Sequence, residues 1–235
     1  MTPFAHLGPL RIERVARRLG DDLRDVVFTG GSTLPLLVSD PLISRFRETE
    51  DVDFVLEVVS RVSYDQFQGR LRDRGFQHIT DEGASVCRFR VEGILVDAMP
   101  LDPTILGFSN RWYRYGIDHA VTVETPGGLE VRHLSAAAFL ATKLEAFHDR
   151  GRNDYFASHD LEDVLTVLDG RSEIVGEVLE AEALHSFLST SVRALLEEPR
   201  FLDALPGHIE QGPVTAAREQ IVLERLRQIA DLEGA

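Results

Sequence analysis

Three aspartates and one small-residue turn are the residues of this chain best suited to hold a phosphorylated ligand through a divalent cation. Gly30-Gly31-Ser32 follows an apolar run, Asp51 and Asp53 open a second apolar run, and Asp97 ends a third. Mg²⁺ takes oxygen ligands and usually retains waters and substrate phosphates, so two or three carboxylates suffice to hold it or Mn²⁺. The spacing therefore predicts a site for a nucleoside triphosphate (NTP) and the chemistry of nucleotidyl transfer.

The aspartates must share one side of a sheet to act together. Side chains alternate along a strand, so Asp51 and Asp53 point to the same face. Two adjacent carboxylates repel each other, and a cation between them relieves that repulsion. If the strand ending in Asp97 is a neighbour, Asp97 completes a two-metal site for the attacking oxygen and the leaving pyrophosphate. The alternative is that the aspartate pair is a solvated loop edge.

The Gly-Gly-Ser turn is the second component of this predicted site. Gly30 and Gly31 permit a tight turn and a close approach of backbone to ligand. The helix start that follows offers backbone N–H groups to a phosphate, and Ser32 adds a hydroxyl. Most such tripeptides are only turns. The order of strand, Gly-Gly-Ser, helix and then Asp-x-Asp on the next strand is what favours the functional interpretation.

Composition restricts the class of protein. The net charge of −14, from 39 acidic and 25 basic residues in 235, argues against broad, non-specific binding to nucleic acid. Cys87 is the only cysteine, so no internal disulfide forms and a reducing cytoplasm is predicted. The sequence shows no secretory signal and no apolar run that could span a bilayer, so no membrane association is expected. It also contains no P-loop, no zinc-ligand spacing and no Gly-x-Ser-x-Gly elbow.

The elements that must position these residues predict an α+β fold. A mixed lobe over residues 1–133 precedes a helical lobe over 134–235. The predicted strands are 26–29, 51–59, 86–91, 94–99, 121–124 and 129–131. The predicted helices are 10–19, 33–38, 63–74, 135–150, 158–168, 174–196 and 214–232, with prolines at 199, 206 and 213 separating the last two.

Two segments of the first lobe resemble a known family. Phe28-Thr29-Gly30-Gly31-Ser32, followed by Arg47-Glu48-Thr49-Glu50-Asp51-Val52-Asp53-Phe54, is similar to the polymerase-β-type nucleotidyltransferases. The resemblance is strongest to the toxin branch of type IV toxin–antitoxin systems, the AbiEii family that includes the MenT toxins. Thr49 and Arg47 belong to the pattern of that branch.

Two segments of the second lobe extend the resemblance to about Leu168. Lys143-Leu144-Glu145-Ala146-Phe147-His148-Asp149-Arg150 matches the branch's Lys-x-x-Ala-x-x-x-Arg helix. His159-Asp160-Leu161-Glu162-Asp163-Val164 is similar to its Lys-Asp-x-x-Asp-Leu motif, with histidine and valine in place of lysine and leucine. The resemblance implies a polymerase-β-like lobe, an antitoxin as partner, and a toxin that transfers nucleotides to the 3′ end of tRNA.

The resemblance also implies roles for charged residues of the second lobe. Lys143, on the edge of an apolar helical stripe, is suited to nucleotide phosphates, with Arg150 as a second phosphate ligand. Asp160 would position Lys143 or the nucleotide. The alternatives are a lysine that covers apolar surface with its stem and, for Asp160, an acid that favours the helix dipole.

Two other functions stay open at this point. In the first, the acceptor is a protein side chain and the reaction is protein nucleotidylation. In the second, the chain is a catalytically silent nucleotidyltransferase fold that acts as a binding module.

Overall fold

The computed structural model describes residues 7–41, 43, 46–47, 49–58, 60–80, 85–107, 109–151, 153–209 and 211–232. Two residues used in the sequence predictions lie outside these residues. They are Glu48, from the segment Arg47 to Phe54 that resembles the family, and Val59, at the predicted end of a strand. The chain forms two compact units, Met1–Leu36 with Arg47–Ser135, and Leu37–Phe46 with Ala136–Ala235. The division into functional lobes at residues 133 and 134 stays a prediction.

A mixed seven-stranded sheet forms the first unit, and the α+β class predicted from the sequence is confirmed. The strand order is β3-β4-β5-β2-β1-β7-β6, with β2 parallel to β5 and β1 parallel to β7. The strands are β1 (Val26–Thr29), β2 (Asp51–Leu56), β3 (Gln77–His78), β4 (Arg88–Val91), β5 (Ile94–Pro100), β6 (Val121–Glu124) and β7 (Glu130–His133). The helices of this unit are α1 (Leu7–Leu19), α3 (Arg61–Asp73), α4 (Pro103–Leu106) and α5 (Tyr113–Asp118). Helix α2 (Leu34–Leu37) has its first three residues in this unit and its last residue assigned to the other.

One face of β2 packs in the hydrophobic core, and this determines the face on which Asp51 and Asp53 lie. Val52, Phe54 and Leu56 are buried. The Phe54 ring meets Phe28 of β1 edge-on at 6.0 Å between centroids and Phe67 of α3 at 6.3 Å. Because side chains alternate along a strand, burial of these residues turns the acids of β2 to the opposite face.

The second unit is helical. Its helices are α6 (Ala136–Arg150), α7 (His159–Gly170), α8 (Ile174–Glu180), α9 (His185–Glu197), α10 (Pro199–His208) and α11 (Thr215–Ala230). The Ser158 hydroxyl accepts a hydrogen bond from the Leu161 N–H at 3.3 Å, so α7 begins at the capping residue predicted for it. None of the helices in the described part of the chain is long and apolar enough to cross a membrane.

Two predictions for the second unit are wrong. The predicted helix 174–196 is interrupted, since α8 ends at Glu180 and a 3₁₀ turn over Glu182–Leu184 precedes α9. The segment between prolines 199 and 213 is not only a separator, because α10 occupies most of it. Pro199 stands in the first turn of α10, where a residue without an N–H costs no helical hydrogen bond.

Candidate functional site

Three carboxylates meet on neighbouring strands of the first unit. In the parallel pairing of β2 with β5, Asp53 lies opposite Asp97, and Asp51 precedes Asp53 by two residues on the same face. One carboxylate oxygen from each lies within 4.8 Å of the others. The condition set by the sequence, that the two strands be neighbours, is met. Oxygen donors at this spacing fit a divalent cation of the Mg²⁺ type, and the role of the three residues as metal ligands stays a prediction.

Arg88 is the residue of this cluster that sequence reasoning missed. Its guanidinium holds both oxygens of Asp97, with Nε 2.9 Å from Oδ1 and Nη2 2.5 Å from Oδ2. Nη2 also lies 3.7 Å from Asp51 Oδ2. These hydrogen bonds to Asp97, together with the nearby acidic charges, raise the pKa of Arg88 further above its ordinary value.

A signal in the sequence could have found Arg88. The hairpin of β4 and β5 turns at two residues, Glu92 and Gly93, and both have positive φ, 48° and 81°. A two-residue turn fixes the register of the strands it joins. Counting outward from that turn places Arg88 opposite Asp97, which is the pairing that the structure has.

The Gly-Gly-Ser turn packs directly against one of the three acids, Asp53. Gly30 has φ 75° and ψ −178°, a conformation essentially restricted to glycine. A Cβ at Gly30 would lie 1.9 Å from Asp53 Oδ2. The Gly30 carbonyl accepts hydrogen bonds from the Thr33 N–H at 3.1 Å and from the Thr33 hydroxyl at 2.8 Å. Gly30 therefore allows the turn and the Asp53 carboxylate to approach each other.

The helix predicted after this turn is shorter than expected. Residues Gly31–Thr33 form a 3₁₀ turn and α2 covers only Leu34–Leu37, instead of the predicted 33–38. A single helical turn has few aligned peptide dipoles. The predicted phosphate contact therefore depends on N–H groups of the turn itself rather than on a long helix.

Ser32 and Gly31 complete the turn. Ser32 is 1% exposed, and its hydroxyl has no hydrogen-bond partner among the described residues. A buried hydroxyl costs free energy unless it is hydrogen-bonded, which fits the predicted role of Ser32 as a phosphate ligand. A Cβ at Gly31 would lie 2.6 Å from Thr49 Oγ1 and 2.7 Å from Arg47 Nη2, so Gly31 packs against the segment that precedes β2.

Replacement of Gly30 by alanine is expected to lower the free energy of unfolding by about 3 kcal/mol, because strain at this backbone conformation adds to the clash with Asp53. Gly107 provides a matched control, since it has φ 81° and open space around its missing Cβ. Gly107→Ala should cost only about 1 kcal/mol. Urea unfolding of both variants checks this, and equal losses would contradict the close approach at Gly30.

A cluster of two cations and two acids, the ion-pair cluster, lies in the second unit, on α6 and α7. Lys143 Nζ is 2.6 Å from Asp163 Oδ2 and 3.1 Å from Asp160 Oδ1. The Lys143 side chain is only 12% exposed and that of Asp163 is fully buried. Lys143 Nζ also lies 5.6 Å from the centroid of the Phe139 ring. Lys143 is thus enclosed by two acids and a ring, unlike a lysine whose head group extends into water.

Arg150 joins this cluster through Asp160. Its Nε and Nη2 each lie 3.0 Å from one of the two Asp160 oxygens. Burial would raise the pKa of Asp160, but the hydrogen bonds from Arg150 and the charges of Lys143 and Arg150 outweigh it, so the pKa is lowered. Asp160 is therefore held as a carboxylate between two cations. The structure brings Lys143, Arg150 and Asp160 together, and their roles toward a nucleotide stay predictions.

The model of the family described as "Nucleotidyl transferase AbiEii toxin, Type IV TA system" matches residues 14–231. No curated protein matches the sequence. The chain is similar to the crystal structure of an antigenic nucleotidyltransferase-like protein from Paracoccidioides brasiliensis, at 22% identity and a TM-score of 0.47, over 80% of this chain and 92% of that chain.

Proposed function

The chain belongs to the AbiEii family of nucleotidyl transferase toxins from type IV toxin–antitoxin systems, and on that premise we propose that it uses a divalent cation to transfer a nucleoside monophosphate from an NTP to the 3′ end of tRNA. The observation that carries the proposal is the convergence of Asp51, Asp53 and Asp97 within 4.8 Å. Family membership implies an antitoxin as partner. An acceptor that serves in translation would place the reaction in the cytoplasm.

The reaction breaks one phosphoanhydride bond of the NTP and forms one phosphodiester bond to the acceptor. The 3′ hydroxyl oxygen of the acceptor bonds to the α-phosphorus of the NTP, the bond from that phosphorus to the bridging oxygen breaks, and pyrophosphate leaves with that oxygen. The hydroxyl proton passes to water. A divalent cation, Mg²⁺ or Mn²⁺, neutralises developing negative charge in such reactions when it is bound.

Each predicted residue has a role in this proposal. Asp51, Asp53 and Asp97 hold the cation. The turn from Gly30 to Ser32 holds the triphosphate through its backbone N–H groups and the Ser32 hydroxyl. The positively charged side chains of Lys143 and Arg150 neutralise phosphate charge. Asp160 orients these two side chains.

A protein acceptor is the second candidate, and one observation favours it. The net charge of −14 opposes approach of a polyanion such as tRNA. Transfer to a hydroxyl side chain of a protein would avoid that repulsion. A catalytically silent binding module is less well supported, because all three acids are present and adjacent.

The test uses purified full-length protein, Mg²⁺, each NTP labelled at the α-phosphate, and total tRNA. Label is expected on tRNA with at least one NTP, and periodate oxidation of the tRNA 3′ end should abolish it. The same NTP labelled at the γ-phosphate should leave no label on tRNA, which separates nucleotidyl from phosphoryl transfer. Label on protein instead would support the second candidate. Absence of transfer to either acceptor would overturn both and favour the silent module.

A further inference from the structure

We infer that Arg88 is a built-in counter-ion of the acidic cluster, which competes with a free divalent cation for Asp97 so that the cation is held firmly only together with a triphosphate. The inference rests on the proposed function, because it concerns the cation that the three aspartates are proposed to hold. Arg88 is here a positioning residue, not a catalytic one.

The Arg88–Asp97 pair has a geometry that ties up both oxygens of the carboxylate. Arg88 on β4 and Asp97 on β5 face each other across an antiparallel pairing, and both carboxylate oxygens accept hydrogen bonds from the guanidinium. The Asp97 side chain is 14% exposed. A bidentate pair of this kind is among the stronger charge-assisted contacts in proteins. A cation that binds Asp97 must therefore share its oxygens with Arg88 or displace it.

Arg88 also lowers the negative charge of the acidic cluster. Three carboxylates and one guanidinium leave a formal charge of −2, which a single divalent cation neutralises. The contact of Arg88 Nη2 with Asp51 at 3.7 Å extends the positive charge toward a second proposed ligand. A free cation consequently meets less negative charge than three bare carboxylates would supply. A cation that arrives with a triphosphate brings additional oxygen ligands and is retained.

A purely structural role for Arg88 makes a different prediction. If the pair only fastens β4 to β5 and presents Asp97 to the metal, removal of Arg88 loosens the acidic cluster. Cation binding would then weaken or stay unchanged. The sign of the change in cation affinity therefore separates the two roles.

The experiment is a titration of the full-length protein with Mn²⁺ in the absence of nucleotide, followed by electron paramagnetic resonance of free Mn²⁺. Arg88→Gln should bind Mn²⁺ about tenfold more tightly than the wild type, because a unit charge roughly 5 Å from a dication opposes it by about that factor even in a water-like dielectric. Arg90 is two residues further on the same strand, opposite Leu95. Arg90→Gln is the matched control, and its affinity should change by about twofold or less.

Thermal unfolding provides a readout that does not depend on catalysis. Without metal, Arg88→Gln should unfold at a lower temperature than the wild type, and Mn²⁺ should raise its unfolding temperature more than that of the wild type. If Arg88→Gln does not fold, Arg88→Lys answers the question. Lysine keeps the positive charge but cannot donate to both oxygens of Asp97 as the planar guanidinium does. Arg88→Lys should therefore bind Mn²⁺ about two- to threefold more tightly than the wild type.

Equal or weaker Mn²⁺ binding by the folded Arg88 variant overturns the inference, including the case in which neither protein binds Mn²⁺. Failure of the proposed function has a different signature, namely an absence of nucleotide transfer by the wild type. If Arg88→Gln binds Mn²⁺ more tightly while the wild type transfers no nucleotide, the counter-ion role of Arg88 is supported and the proposed transferase activity is contradicted.

Discussion

Asp53→Asn is expected to lower the rate of nucleotide transfer by about 10²–10³-fold, the usual loss when one group that stabilises transition-state charge is removed. Asp53 lies between Asp97 on β5 and Thr29 on β1 in the sheet register, and its carboxylate packs against Gly30. Asparagine keeps the shape that Gly30 requires and removes the charge. Initial rates of label transfer from an α-labelled NTP measure the effect.

The control for Asp53→Asn is Asp65→Asn in the same unit. Asp65 is exposed and its Oδ1 lies 3.5 Å from Arg61 Nε one helical turn away, a surface pair of small energetic value. Its rate of transfer and its free energy of unfolding should stay close to those of the wild type. Transfer by Asp53→Asn at more than about one tenth of the wild-type rate would contradict the role of Asp53, given the loss expected for such a group.

Lys143→Met is expected to lower the free energy of unfolding by about 3–5 kcal/mol, the cost of leaving one member of a buried ion pair without its partner. Methionine retains the length of the lysine stem but not its charge. Asp163, whose side chain is fully buried, then loses the cation that lies 2.6 Å away. Urea unfolding followed by circular dichroism measures the loss, and nucleotide transfer should fall in the same variant.

A double variant separates stability from catalysis at this position. Replacing a whole buried ion pair by apolar residues is often neutral for stability, so Lys143→Met with Asp163→Leu should regain most of the lost free energy. Nucleotide transfer should stay low, because the proposed phosphate ligand is still missing. A Lys143→Met variant as stable as the wild type would contradict a contribution of Lys143 to the free energy of unfolding. Recovery of transfer in the double variant would contradict its role with phosphates.

The sequence was sufficient to locate the acidic residues on strands and to predict their common face. Strand alternation is a local rule, so Asp51 and Asp53 could be placed without knowing the rest of the sheet. The pairing of Asp53 with Asp97 is not local, since β2 and β5 are parallel and separated by α3, β3 and β4. From the sequence, this pairing could be predicted only on the condition that the two strands are neighbours in the sheet.

The errors arose where tertiary packing overrides a local pattern. The run from Ile174 to Leu196 has helical periodicity throughout, yet Ala181 adopts φ −92° and ψ 57°, and the chain turns there. A periodic pattern does not reveal such a break, because the residues on either side remain good helix formers. In α10, by contrast, proline was given too much weight as a helix breaker, although Pro199 stands where proline is tolerated.

The enclosed position of Lys143 has a practical consequence, because it is the only lysine in the 235 residues. Reagents that acylate or methylate side-chain amines can modify no other side chain of this protein by that chemistry. Isotope-labelled methyl groups introduced by reductive methylation would thus give a spectrum with one side-chain signal. That signal would report directly on how the amine of the ion-pair cluster responds when nucleotide, cation or acceptor is added.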